Sequence, residues 1–306
     1  MPNTYIDVFD FLRGTTGLET ASLVGNTSHF TVAQTAGASA LTVAARTVTT
    51  TLLPFDRITI FDGSQTEVVT VGTKTTSEAT SIPLLTGTTL AYNHAIGVAW
   101  CSDGPSGSLA DAIVDASAWM EKLCYQPLLQ ATYTDETIDM PGMRASVNNR
   151  GSLTFRPWHF PVTTIAALSI ATADSSQAMH YDVSNAFIAG NKRLCSIRDL
   201  RLLNNQQITV TNVNSSWAVP DRNAEAALYL TYTAGYQYAS LPPDIKEVAI
   251  LVASDIIGKR HNPIGAAQVN SGGINVTTYL RGDLTGESGL IKRAMQILSK
   301  YSVELY

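Results

Sequence analysis

Five histidines, three cysteines and one adjacent acid pair are the side chains of this 306-residue chain best suited to bind a metal or move a proton. His29, His94, His159, His180 and His261 never fall into H-x-x-x-H or H-E-x-x-H, the one-turn spacings that put two imidazoles on a zinc ion. Cys101, Cys124 and Cys195 are odd in number, far apart and never in C-x-x-C spacing. That argues against a disulfide framework or a zinc site and for small reduced side chains. Asp135 and Glu136 are neighbours on a stretch that reads as a strand, where consecutive side chains point to opposite faces, so they are not expected to share a proton. His159 lies in Pro157-Trp158-His159-Phe160-Pro161, read here as a packed aromatic turn. No G-x-S-x-G, G-x-x-x-x-G-K-[ST] or helix-opening G-x-G-x-x-G occurs. The expectation is a protein without catalytic machinery, metal or cofactor.

Composition narrows the class further. Only 15% of residues are charged and the net charge is −5. A surface so poor in charge fits either a protein partly covered by other proteins or a β-rich domain coated with Thr and Ser. The sequence shows no basic stripe of the kind a general nucleic-acid binder uses against phosphates. The N-terminus lacks a basic segment followed by an apolar core, so no signal peptide is expected. No apolar run reaches the roughly 18–20 residues of a membrane span.

The elements that would position these residues alternate in kind along the chain. Residues 4–13 have the spacing of a short helix: Tyr5, Val8, Phe9 and Leu12 share a face. Residues 20–100 are rich in Thr, Ala, Ser and Gly, with short alternating apolar runs between turn signals, and read as an inserted all-β sandwich or barrel module. A helix over about 109–125 follows, with Ser108 as N-cap, Asp111 in its first turn, Lys122 in its last and Pro127 beyond it. Residues 128–237 read as strands again. Pro243 opens a second helix, apolar around well over half its circumference, which Asn262-Pro263 ends. After a Gly- and Asn-rich arm, residues 287–301 give a last helix. The division is 1–19 with 101–306 as one core, and 20–100 as the insertion.

The run from strand to second helix carries a family resemblance. Tyr232, Ala234, Gly235, Tyr236, Leu241, Pro242, Asp244, Ile245, Lys246 and Ala249, closing with Lys259-Arg260, resemble the V-x-Y-x-A-G-Y … L-P-x-D-[IL]-K-x-A pattern of tailed-bacteriophage head-tail connector (adaptor) proteins. Pro161-Val162-Thr163-Thr164-Ile165 resembles that family's P-V-x-x-I strand. Residue 248 is Val where the pattern has Ala, and residues 20–100 have no counterpart. The resemblance implies an α+β fold with a helical adaptor core, no enzymatic activity, and a ring of usually twelve copies in the virion neck. Such a ring is made in the host cytoplasm, sits between the portal and a stopper or tail-completion protein, and lets genomic DNA pass. It makes Tyr232, Gly235, Tyr236, Leu241, Pro242, Asp244 and Lys246 structural motif residues. Leu290, Ile291, Met295, Leu298, Tyr301 and Tyr306 become candidate contacts to the portal or a neighbour, and deletion of 286–306 is expected to leave the core folded but to abolish incorporation onto the portal. The alternatives are a tail-terminator or tail-completion ring, and a carbohydrate-binding host-recognition protein carried by the β module.

Overall fold

A computed structural model of the chain describes residues 3–14, 22–43, 51–76, 78–140, 144–147, 152–172, 178–190, 192–197, 213–214, 219–220, 226–261, 269–271, 274–276 and 289–302. In chain order the elements are α1 (Val8–Gly14), β1 (Val24–His29), β2 (Ala40–Thr42), β3 (Arg57–Phe61), β4 (Glu67–Thr70), β5 (Ser81–Pro83), β6 (Ala99–Asp103) and α2 (Leu109–Cys124). Then come β7 (Ala131–Met140), β8 (Ala145–Val147), β9 (Leu153–Phe155), β10 (Val162–Thr172), β11 (Met179–Tyr181), β12 (Ala186–Ile188) and β13 (Cys195–Ile197). The chain continues through β14 (Val213–Asn214), β15 (Val219–Pro220), β16 (Ala226–Ala234), α3 (Pro243–His261), β17 (Val269–Ser271), β18 (Ile274–Val276) and α4 (Gly289–Leu298).

The expected fold class needs correcting. Instead of a helical core, the described residues build three four-stranded sheets and three two-stranded ribbons against four α-helices, so the chain is mostly β. Residues 128–237, read from the sequence as strands, do form strands where they are described, with Thr, Val and Ile supplying short pleated surfaces; the helical core is an implication of the family resemblance and is what fails. Two compact units result: Met1–Tyr125 with Tyr238–Ser302, and Gln126–Gln237 with Val303–Tyr306.

In the first unit the sheet has the order β1-β6-β3-β4, all antiparallel. One face joins a core of Phe30, Leu41, Leu52, Ile58, Ile60, Val69, Ile82 and Trp100. The other lies against helices: α1 and α2 both touch β6, and Arg57 of β3 reaches Asp111 of α2 at 2.9 Å and Asp103 at 3.5 Å. A strand covered on both sides reads as a continuous apolar run, and Ile58, Thr59, Ile60 and Phe61 are indeed all buried. Helix α2 follows its sequence signals closely: the Asp111 amide donates to the Ser108 hydroxyl at 3.1 Å, and Ala112, Ile113, Ala116 and Met120 are buried. Helix α1 starts later than the periodicity predicts, because Asp7 caps it by accepting from the Asp10 amide at 2.7 Å, leaving Tyr5 and Ile6 as buried, extended residues before it. Helix α3 touches α1, α2 and α4, which is why its buried positions, Ile245, Val248, Ala249, Val252, Ala253 and Ile257, wrap around it.

In the second unit two four-stranded antiparallel sheets, β11-β10-β16-β7 and β12-β13-β9-β8, share one core. Central strand β16 alternates faithfully, burying Leu228, Leu230, Tyr232 and Ala234. Its two neighbours do not. Opposite the step from Leu230 to Tyr232, β7 advances from Glu136 to Tyr133, one residue more, and the extra residue Asp135 takes a left-handed φ of 52°. Strand β10 carries two such irregularities, so Val162, Ile165 and Leu168 face the core at steps of three. No described helix is long and apolar enough to cross a membrane.

Candidate functional site

The second unit gathers its polar and aromatic side chains around the Pro157–Pro161 turn. The bulge at Asp135 leaves Asp135 exposed on one face of β7 and puts both Tyr133 and Glu136 on the other, beside Tyr232. The Glu136 carboxylate accepts from the Trp158 amide at 2.9 Å, from the Tyr232 hydroxyl at 2.6 Å and from His159 Nδ1 at 3.0 Å. The Tyr232 hydroxyl in turn accepts from the His159 amide at 3.0 Å. Since a carboxylate only accepts, these contacts put the proton of the imidazole on Nδ1. Nε2 has no protein partner among the described residues. Tyr133 stacks on His159 with ring centroids 3.7 Å apart and lies 5.3 Å from the Tyr232 ring. Burial alone would push the Glu136 carboxyl up. The hydrogen bonds from His159, the Trp158 amide and Tyr232 overcome it and hold the group below the ordinary carboxylate value. Burial and the bond to Glu136 push the Tyr232 hydroxyl far up, so it stays a donor.

Four basic residues flank the same turn. Arg144 and Arg156 follow one another across the end of the β8–β9 pair, where the Arg156 amide donates to the Arg144 carbonyl at 2.7 Å. The Arg144 guanidinium lies 3.5 Å over the Trp158 ring, and that of Arg193 lies 4.0 Å over Phe160. Lys192 is tied in through its carbonyl, which accepts from the Val162 amide at 2.9 Å. Burial, and then the nearby positive charge of Arg156, lower Arg144, with Glu136 opposing. Trp158 is 38% exposed, so the turn is not the fully packed aromatic corner that its composition predicts.

The first unit holds a second histidine cluster of the opposite kind. His94 is fully buried, with Nδ1 at 2.8 Å from Asp62 and Nε2 at 2.6 Å from Glu67. Glu67 also accepts from the amides of Ala91 at 2.9 Å and Tyr92 at 3.4 Å. With an acceptor on each nitrogen, the ring sits there as an imidazolium. Burial works against that charge, but the bonds to Asp62 and Glu67 outweigh it and His94 titrates above its ordinary value.

The motif residues occupy tie points of the framework. Gly235 has φ of 102° and a side chain there would collide with the Leu129 backbone, while its amide donates to the Pro161 carbonyl at 2.9 Å. Tyr236 exchanges backbone bonds with Leu128 and Gln130, each 2.8 Å. Leu241 is buried, and the Pro242 carbonyl accepts the Ile245 amide at 3.0 Å as α3 begins. Asp244 accepts from the Tyr301 hydroxyl at 2.7 Å, and Lys246 pairs with Asp10 at 2.9 Å. Of the candidate outer contacts, Ile291 and Leu298 are buried, Leu290 and Met295 are half-buried, and Tyr301 is held by Asp244. Tyr306 lies outside the described residues. Helix α4 packs on α3 and adds a bond from Arg293 to Glu247, so removing it would strip cover from α3.

All three cysteines are buried free thiols, and burial raises Cys124 (with help from Glu121) and Cys195 to about 12. Among the described residues no group of three or more His, Cys, Asp or Glu side chains is arranged to hold a metal ion. Compared with known families and with curated proteins, the chain matches no family model and no curated relative.

Proposed function

We propose that this chain is a structural virion protein, a head-tail adaptor that assembles as a ring between portal and stopper or tail-completion protein and surrounds the path of the genome. The observation that carries the reading is the use made of the motif that resembles the connector family. Gly235 fits its corner only without a side chain, Asp244 and Lys246 fasten α3 to the turn after α4 and to α1, and Leu241 is buried at the approach to α3. These are demands of shape, as expected where a protein's work is to hold a position between others. A ring requires different faces of one protomer to meet in the next, and a surface with few charges suits such contacts.

Electron microscopy of the chain mixed with a tailed-phage portal protein tests the reading. A twelve-fold ring on the portal is the expected image. A six-fold ring at a tail end would reassign the chain as a tail terminator, and a chain that stays monomeric beside an assembled portal would remove the proposal altogether.

A further inference from the structure

Two exposed apolar spots stand at opposite ends of one strand in the first unit. The first is the turn Leu53-Pro54-Phe55-Asp56, just before β3. The Asp56 amide donates to the Leu53 carbonyl at 3.2 Å, and Phe55 has a φ of 73°. With proline at its second position and a left-handed residue at its third, the turn has the type II pattern, whose third position favours glycine. Phenylalanine is strained there. Packing does not offset the strain, because Phe55 is 71% exposed, with Leu53 beside it 53% exposed. The turn is also pinned. The Asp56 carboxylate accepts from the Leu53 amide at 2.7 Å, the Phe55 amide donates to the Val71 carbonyl at 2.8 Å, and the Val71 amide donates to the Asp56 carbonyl at 2.9 Å. A residue unsuited both to its backbone and to water, on a turn held this firmly, points to a use outside the protomer.

The second spot lies past the other end of β3, about 17 Å away at about 3.3 Å per residue. There Asp62 bonds His94, and beside that histidine Ile96 is 67% exposed and Val32 is 42% exposed. One backbone ladder holds both. Gln34 and His94 exchange backbone bonds of 2.8 and 2.9 Å on one side of them, and on the other the Gly97 amide donates to the Phe30 carbonyl at 2.8 Å. Ala33, Ala95 and Gly97 around them are exposed and small, and a side chain at Gly97 would meet no atom within 4 Å, which leaves room for an incoming ring. Neither spot offers charge. Residues 30–42 and 88–98 contain no acid, lysine or arginine, Asp56 is folded back on its own turn, and Arg57 pairs with Asp111 and Asp103.

We propose that the two spots meet each other between copies of this chain: the Leu53–Phe55 tip of one protomer seats on the Val32–Ile96 surface of the next. A second copy is the occupant because both spots are apolar and uncharged, one bulky and one framed by small residues, and one compact unit presents them at opposite ends. Opposite ends make the contact heterologous, head to tail, so it propagates from copy to copy, as a ring requires. The contact itself stands on the two spots; its closure into a ring rests on the adaptor reading.

Sedimentation velocity of the full-length protein over a range of concentrations tests this, with Phe55→Gly, Ile96→Asp and their equimolar mixture. The parent is expected to associate into dimers, trimers and larger species as concentration rises. Each variant alone should associate at least about tenfold more weakly. Mixed, they should recover dimers and stop there, since the Ile96→Asp chain keeps its tip, the Phe55→Gly chain keeps its surface, and neither keeps both. Phe55→Gly should also melt about 1–3 °C above the parent as the strain is released, which separates a lost contact from a damaged fold. A parent still monomeric at about 1 mM would overturn the contact, as would variants that associate like the parent. Weakly associating variants that give no dimers when mixed would overturn the pairing of the two spots. Flotation of a monomeric parent with phosphatidylcholine vesicles, abolished by Phe55→Gly, would reassign the tip to a lipid surface. Microscopy with the portal is a separate readout. Twelve-fold rings without any self-contact through these spots would leave the adaptor reading standing alone, and head-to-tail association by a chain that joins no portal would leave the contact standing alone.

Discussion

His94 and His159 are each gripped by a glutamate, at 2.6 Å and 3.0 Å, and the two clusters end up with opposite characters. His94 has no exposed surface and spends both nitrogens on carboxylates. His159 keeps a quarter of its side chain in contact with solvent, spends only Nδ1, and lies beside a stacked tyrosine and an arginine-covered tryptophan. A carboxylate on a histidine therefore says little by itself about function. What separates the two is whether the second nitrogen is closed off, and that depends on how the surrounding chain is routed.

The sharpest way to break the comparison is to remove one acid from the sealed cluster. Glu67→Ala leaves His94 Nε2 and the amides of Ala91 and Tyr92 without their acceptor in the interior while Asp62 keeps Nδ1, and should cost about 3–5 kcal/mol in chemical denaturation, with hydrogen exchange rising in the first unit alone. A loss below about 1 kcal/mol would mean water or a neighbour replaces Glu67 readily. In the open cluster, Tyr232→Phe deletes a hydroxyl that donates to Glu136 and accepts from His159; about 1–3 kcal/mol is expected, with faster exchange confined to the second unit. The smallest and most discriminating effect is on pH. His94 is raised in the folded state, so its contribution is complete below its unfolded value of about 6.5 and is lost as pH climbs through the folded one. Glu136 is lowered, so its contribution is complete above its unfolded value of about 4.3 and is lost as pH falls through the folded one. Calorimetry across both ranges should show the first unit weakening toward alkali and the second toward acid. His94→Gln should flatten only the alkaline slope, and Glu136→Gln only the acid one.

How much of this the sequence displays depends on how local each decision is. Helix α2 is legible end to end because Ser108, Asp111 and Lys122 act within a turn of the residues they affect. Pro243 marks the start of α3 for the same reason. The start of α1 is misjudged because an Asp7 cap outweighs the apolar spacing that begins at Tyr5. The β content shows in the strand readings of 20–100 and 128–237, but the individual strands are harder to place. Strands β8, β9, β11, β12 and β13 are three residues each, too short for alternation to register, while the three-residue steps of β10 imitate the spacing of a helix. The helical core follows from the family resemblance and not from these strand patterns. Alternation along a strand is enough to turn Glu136 away from Asp135, but its partners His159 and Tyr232 lie 23 and 96 residues on, and only the fold joins them.

Asp135 shows what such a non-local arrangement asks of a single position. Downstream of it, Glu136, Ile138 and Met140 face inward and Thr137 and Asp139 outward. Upstream, Tyr133 also faces inward, which strict alternation would forbid. Asp135 works as a spacer that resets the parity of the strand. Its side chain is exposed, and Asn or Gly would accept its left-handed backbone, so replacing it is a mild change. Deleting it is not. With one residue fewer, either Tyr133 leaves the histidine stack or Thr137 and Asp139 rotate into the core in place of Ile138 and Met140. At this position the length of the chain is what selection would have to guard, and the letter occupying it matters far less.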